Sequence, residues 1–150
     1  MPQANTLLSL DPSTGEISTL AVFDAMPGVF PNPWRNNEPM ADPVPTGIAH
    51  GPDGSVLVSL LSGAPFIPGS AKIVSVKDGA VSDYATGLTM AVDMATAADG
   101  TLYVLSFGLF EPTGPVPASG SLRTVHVRHA TRCTAPSPLC LRNHRMQQHR

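Results

Sequence analysis

Charged and aromatic residues are scarce in this sequence, at 13% and 5% of its 150 residues. A soluble domain usually has about a quarter of its residues charged. No run of about 18 apolar residues occurs, so the sequence predicts no membrane-spanning helix. The first residues contain neither a basic stretch nor an apolar stretch, and no signal peptide is visible. No segment keeps the 3.6-residue apolar period of an amphipathic helix, which argues against a helical fold.

What the chain has instead is turn-forming residues, with 13 Gly and 16 Pro. These residues supply or preset the backbone angles of tight turns. Together with the length, which is typical of one domain, they indicate a small domain built from short strands and many turns.

Charge is distributed unevenly along the chain. Residues 1–120 carry all eleven acidic residues and only three basic ones, a net charge of −8. Residues 121–150 carry six Arg and no acid, together with both Cys and four of the five His. Two such compositions in one small domain are unusual. We therefore expect residues 1–121 to fold and residues 122–150 to form a basic tail that is disordered or comes from an altered reading frame.

The tail contains residue types that bind zinc and nucleic acid. The possible zinc ligands are His126, His129, Cys133, Cys140, His144 and His149. Their spacing matches no usual closed zinc site, so we predict no zinc. The six arginines of the tail could contact phosphates. The tail matches no recognised nucleic-acid-binding fold, so we predict no nucleic-acid partner. Cys133 and Cys140 could form a disulfide if the chain were exported, which the sequence leaves open.

The folded part is organised around one stretch, Pro45 to Leu60, that reads as strand, turn and strand. The turn is Asp53-Gly54, a pair that tolerates the positive φ angles of hairpin turns. The same order recurs 46 residues later around Asp99-Gly100. The strands that follow each Asp-Gly are rich in apolar and β-branched residues, and Val56, Leu102 and Tyr103 are predicted core residues.

Two hairpins make a four-stranded unit of about 46 residues, a period typical of a β-propeller. The sequence thus predicts an all-β fold, a β-propeller fragment of about two four-stranded antiparallel blades. We assign a half blade to residues 5–23, a full blade to 46–85 and a half blade to 92–107. A β-sandwich is the competing all-β interpretation. An open fragment would expose apolar side chains of its end blades, such as Val56, Val58, Ile73 and Val74, so we expect aggregation, oligomers or loose folding of the isolated chain.

Residues 24–44 form a long connection with many prolines, which break helices and central strands. Long connections in compact domains are often functional. This one carries the only Trp, Trp34, next to Arg35, Asn36 and Asn37. Trp34 either packs the loop against the domain or lines a binding face.

The chain resembles the ScyD/ScyE family of propeller-type proteins, related in pattern to NHL-repeat and SMP-30-like propellers. The resemblance is carried by VPTGIAHGPDGSVLVSLLSGAPFIPGSAKIVSV and by YATGLTMAVDMATAADGTLYVLSFG, with the NPW-containing loop before them. It covers about 115 residues. Members of the family have an export signal and further blades, so the resemblance implies a truncated, secreted protein associated with scytonemin biosynthesis.

The resemblance implies a non-enzymatic scaffold that binds a small molecule or a protein. The alternative is a metal-dependent hydrolase of the SMP-30/lactonase-like kind, in which oxygen ligands at the central channel hold a divalent cation. Asp93 and Asn37 are the candidate ligands, although Asp93 also suits a strand end. No motif for a catalytic nucleophile is visible. The predicted binding residues are Trp34, Arg35, Asn36, Asn37 and Asp93, with no cofactor.

Overall fold

The computed structural model describes residues 5–111 and 113–125. In these residues the regular structure consists of β-strands and one short 3-10 helix, Pro33–Arg35. The strands are β1 Thr6–Leu10, β2 Ile17–Val22, β3 Met26–Asn32, β4 Glu38–Ala41, β5 Val44–His50, β6 Val56–Leu61, β7 Ala71–Lys77, β8 Ala80–Leu88, β9 Ala91–Thr96, β10 Leu102–Ser106, β11 Phe110–Glu111, β12 Gly114–Pro115 and β13 Ser121–Val125. The all-β prediction is confirmed. The described residues include no helix of the length and apolarity needed to cross a membrane.

Strands β5 to β8 form a four-stranded antiparallel sheet in which each strand pairs with the next. The sheet runs over residues 44–88 and contains the predicted unit at 46–85. Two of its three connections are tight turns, where Gly54 and Gly79 have φ angles of 80° and 79°. Side chains disfavour this left-handed backbone, so glycine at these positions determines where the chain reverses.

A second sheet contains β9, β10 and β13 in the order β13-β10-β9. The first two strands account for the predicted half blade at 92–107. The third, Ser121–Val125, pairs with β10 along its whole length. Leu102 lies opposite Val125 at one end, and Ser106 lies opposite Ser121 at the other. The boundary predicted at residue 122 therefore does not mark the end of the sheet. The open edge of β10 offers unpaired backbone groups, and a short β-favouring sequence fills it. The rest of the predicted tail, 126–150, lies outside the described residues.

The remaining strands form three two-stranded hairpins. The β1–β2 hairpin lies in the segment that was assigned to a half blade, 5–23. The connection at 24–44, expected to be a loop, contains the β3–β4 hairpin instead, with Met26 opposite Ala41 and Pro27 opposite Met40. A two-stranded ribbon leaves one edge of each strand unpaired, and proline is tolerated there because it has no N–H to donate. The short β11–β12 pair lies in the connection before β13.

The four-stranded sheet is the middle layer of the molecule, because both of its faces are covered. Its first face packs against the β9-β10-β13 sheet, and its second against β1, β2 and the start of β3. The first cluster is Leu57, Ala71, Ile73, Ala85, Leu88, Ala91, Met94, Leu102 and Val104, and the second is Leu7, Ala21, Phe23, Met26, Val58, Leu60, Val74 and Val76.

Successive side chains on β6 and β7 point to opposite faces of the sheet, so one belongs to the first cluster and the next to the second. Leu57 faces the C-terminal sheet and Val58 the N-terminal hairpin, as strand geometry requires. The expectation that Val58 and its neighbours on β7 are exposed in an open fragment is therefore wrong, since Val58, Ile73 and Val74 are at most 1% exposed. Leu102 is a core residue as predicted, whereas Tyr103 is 39% exposed.

Candidate functional site

The turns that follow β5 and β9 have matching hydrogen bonds. In the first, the N–H of Gly51 donates to Ser55 O at 2.8 Å and that of Ser55 donates to Asp53 Oδ1 at 3.2 Å. In the second turn, 46 residues later, the N–H of Ala97 donates to Thr101 O and that of Thr101 donates to Asp99 Oδ1, both at 2.9 Å. The Asp carboxylates therefore hold both turns in the same way.

Strands β5 and β9 run alongside each other in the same direction. At one end Thr46 Oγ1 donates to Ala91 O at 3.0 Å, and at the other Thr96 Oγ1 donates to His50 O at 2.8 Å. Gly47 of β5 lies between these two bonds, and a Cβ atom added to it would lie 2.9 Å from Asp93 Oδ1 of β9. Gly47 thus permits the close approach of the two strands.

Because β5 and β9 run in the same direction, the turns that follow them lie at the same end of the molecule. The tight turns after β5, β7 and β9 lie at one end, which we call the turn end. The longer connections at residues 61–70 and 107–120 lie at the opposite end, with the link from β4 to β5. We call this the loop end.

Contacts between these connections hold the loop end together. The rings of Phe66 and Phe110, one from each connection, meet edge to face with centroids 5.2 Å apart. A Cβ atom at Gly63 would lie 3.3 Å from Asp42 O, so the end of the β3–β4 hairpin adjoins the first connection. The N–H of Phe107 donates to Met90 O at 3.0 Å, which anchors the second connection to the β8–β9 turn.

Trp34 is on the 3-10 helix between β3 and β4, and its side chain is 83% exposed. It does not pack the connection against the domain, so that interpretation is wrong. Its backbone N–H donates to the side chain of Asn32 at 3.0 Å, which caps the helix. Phe30 and Val29 on the same hairpin are 64% and 51% exposed. The hairpin therefore presents apolar groups to solvent.

The residues after Trp34 give the hairpin its shape. Arg35 donates to Asp42 Oδ1 from Nε at 3.1 Å and from Nη2 at 2.6 Å. Asn36 and Asn37 have φ angles of 54° and 59°, a left-handed conformation that Asn tolerates better than most residues. Arg35 is thus held in an ion pair, while Asn36 and Asn37 supply the left-handed backbone of the turn, and all three stay predicted binding residues.

Asp93 lies within β9, and its carboxylate is exposed next to Gly47. Oδ1 accepts the N–H of Met94 at 2.8 Å. Its nearest contacts are thus with β5 and its own strand, not with the hairpin that carries Trp34. Within residues 5–111 and 113–125, no group of three or more His, Cys, Asp or Glu side chains is placed to hold a metal ion.

The sequence analysis singled out Trp34 but missed the Phe residues of the connections. Four of the five Phe and the single Trp lie in the Gly/Pro-rich connections, and only Phe23 lies elsewhere. Phe107 and Leu109 are 54% and 44% exposed there. Aromatic residues concentrated in connections instead of strands are the signal that would have indicated this surface.

Comparison of the chain with protein families, curated proteins and solved structures gave no match.

Proposed function

We propose that this chain is part of a β-propeller of the ScyD/ScyE kind and acts as a non-enzymatic scaffold that binds a partner at its loop end. The partner we propose is a peptide segment with apolar or aromatic side chains. Export from the cell and the link to scytonemin biosynthesis belong to the same proposal and rest on the resemblance alone.

The architecture is supported by the relation between the two main sheets. Their first strands, β5 and β9, run side by side in the same direction, and residues about 46 positions apart contact each other. In a propeller the first strand of each blade lines the centre, and neighbouring blades pack face to face. The buried cluster between the β5–β8 sheet and the β9-β10-β13 sheet is the packing expected of two neighbouring blades.

The observation that carries the binding function is a set of exposed apolar side chains on the loop end and on the β3–β4 hairpin, whose end at Asp42 adjoins it. Exposed Phe30 and Trp34 project from the β3–β4 hairpin, and Phe107, Leu109 and Phe110 line the second connection. Aromatic residues are enriched where proteins bind other proteins, because they bury a large area at a small entropic cost. On the hairpin Arg35 is paired with Asp42, and Glu38 is the other charged side chain, so few charges there oppose an apolar partner.

The test is selection of peptides from a random phage-displayed library on the whole chain. Binding of each selected peptide is measured by calorimetry and by the fluorescence of Trp34, the only Trp in the chain. We expect the selected peptides to be rich in apolar residues and to change the emission of Trp34.

A loop-end variant and a control variant decide where the peptides bind. Phe30→Ser with Phe110→Ser is expected to weaken binding at least about tenfold, as loss of buried aromatic anchors does. Val81→Ser, near the turn end and 43% exposed in the parent chain, is expected to leave affinity unchanged. Peptides that bind the loop-end variant as tightly as the parent would refute the proposal.

A further inference from the structure

A groove runs along β8, the last strand of the middle sheet. In the described part of the chain β8 pairs with β7 alone, so its other edge is open. The N-terminal hairpin covers β6 and β7, but no residue of β8 belongs to the cluster beneath it. Val81 and Asp83 lie opposite Val76 and Val74 of that cluster and are exposed. The groove therefore lies beside the hairpin, over this uncovered part of the sheet.

The groove has two compartments, of about 320 Å³ and 250 Å³, which share Ala25 and Lys72. The chain between β2 and β3 forms one wall, and β8 forms the other from residue 81 to residue 87. Buried Phe23, Leu60 and Val74 line the first compartment and give it apolar contacts. Sites for small organic ligands have volumes of this order.

Charged side chains of both signs line the first compartment. Lys72 Nζ donates to Asp83 Oδ1 at 2.7 Å, and the Lys72 side chain is 29% exposed. An ammonium has three N–H donors, so this bond leaves Lys72 able to bind a second acceptor. Asp24 is exposed and takes part in none of the three ion pairs found among residues 5–111 and 113–125. Its carboxylate can therefore bind a cationic group.

This set of charges favours a ligand that carries both signs. A simple anion at Lys72 would share the compartment with the carboxylates of Asp24 and Asp83, and a simple cation at Asp24 would share it with the Lys72 ammonium. An α-amino acid has a carboxylate and an ammonium on one carbon, so it can pair with both. Alternate residues of β8 also direct N–H and C=O groups away from β7, which offers backbone partners to the same two groups.

We propose that this groove binds a free α-amino acid with an aliphatic side chain. The carboxylate of the ligand pairs with Lys72, its ammonium pairs with Asp24, and its side chain packs on Leu60 and Val74. Asp83 is a positioning residue that holds the Lys72 ammonium in the groove. The lining of the groove includes none of the aromatic residues of the loop end, so this site is tested independently of the proposed function.

Three small molecules with one aliphatic skeleton test the proposal. They are L-leucine, isoamylamine, which lacks the carboxylate, and 4-methylpentanoate, which lacks the ammonium. Each is titrated into the whole chain, with calorimetry to measure affinity and amide NMR shifts to locate the site. We expect saturable binding of L-leucine, with shifts in residues 22–27 and 81–87. Each analogue should bind about tenfold more weakly, because each loses one hydrogen bond between charged groups.

Variants of the two charged residues assign the two pairs. Lys72→Met should remove the preference for L-leucine over isoamylamine, and Asp24→Asn should remove the preference over 4-methylpentanoate. Lys72→Arg keeps the charge and should keep most of the affinity, which separates loss of the charge from loss of the fold. The control is Lys77→Met, since Lys77 lies on the same strand and bonds to Asp53 outside the groove. It should leave the affinity for L-leucine unchanged.

Three results would overturn the proposal. One is a set of amide shifts that grow in proportion to the L-leucine concentration without saturating. Another is equal affinity for L-leucine and either analogue, which would mean that the groove does not read both charges. The third is a Lys72→Met variant that is folded by circular dichroism and binds L-leucine as tightly as the parent chain.

Discussion

Asp53 shows how one carboxylate sets the geometry of a turn. The Ser55 hydroxyl, then the Ser55 N–H and the ammonium of Lys77, lower the pKa of Asp53 to about 2, from an ordinary value of 3.8. Because the ionised form is favoured in the folded chain, its stabilising contribution is present above pH 4 and is lost as the pH falls towards 2.

We expect Asp53→Asn to lower the melting temperature at pH 7 and to have a smaller effect at pH 2, where about half of the parent carboxylate is protonated in the folded chain. Thermal melts of both proteins between pH 2 and pH 7 test whether the difference in melting temperature shrinks as the pH falls. In a carboxyl NMR titration of a further variant, Lys77→Met should raise the pKa of Asp53 towards 3.8, because the ammonium of Lys77 lies 3.3 Å from Asp53 Oδ2. An unchanged pKa of Asp53 in Lys77→Met would contradict this.

Trp34 is the residue whose exposure matters most for the proposed function. With 83% of its side chain in solvent, its fluorescence should be that of a solvated indole and should be fully accessible to acrylamide. Trp34→Ala should change the free energy of unfolding by no more than about 0.5 kcal/mol, as is usual for surface substitutions. A blue-shifted, protected emission in the free chain would show that the ring is buried.

At the scale of elements, β13 is the strand that the composition of the chain concealed. Its residue Val125 packs on the cluster that contains Leu102 and Val104. Strand β13 also pairs with an edge of β10 that would otherwise be open. The element should therefore contribute to stability although it lies in the basic part of the sequence.

Two truncated chains measure that contribution. Ending the chain at residue 125 retains β13, and we expect little change in stability. Ending it at residue 120 removes the strand, and we expect a loss of at least about 1 kcal/mol from the lost apolar burial. Amide protons of β10 that bond to β13 should then exchange faster. Equal stability of the two truncated chains would show that β13 contributes nothing.

At the scale of the whole molecule, one sheet belongs to both cores. Leu57 and Leu60 lie on the same strand, point to opposite faces and are each 1% exposed. The N-terminal hairpin and the C-terminal sheet are therefore coupled through the middle layer, and we expect the chain to unfold in one transition.

We expect Leu57→Ala and Leu60→Ala each to cost about 2–5 kcal/mol, the range for cavities in well-packed cores. Ile48→Thr is the matched control, because Ile48 is 62% exposed on the neighbouring strand. Calorimetry should show a single transition that shifts as a whole in either Leu variant. Two separate transitions, with only one affected by each substitution, would mean that the layers fold independently.

The sequence alone determined the strands and tight turns of the β1–β2 hairpin and of β5 to β10, because these depend on neighbouring residues. Asp53-Gly54 and Asp99-Gly100 favour a reversal of the chain, and the apolar run after each favours a strand. The four-stranded sheet follows from that order. The aromatic loop end was also visible in principle, since its residues fall within Gly/Pro-rich connections.

Only the tertiary structure decided which faces and edges are covered. It placed the β1–β2 hairpin over Val58 and Val74, left Tyr103 on an outer face, paired β13 with β10 and left Trp34 in solvent. Each outcome depends on an element distant in the sequence occupying one side of a strand. The same alternation of apolar residues fits a buried face or an exposed one, and packing between layers selects between them.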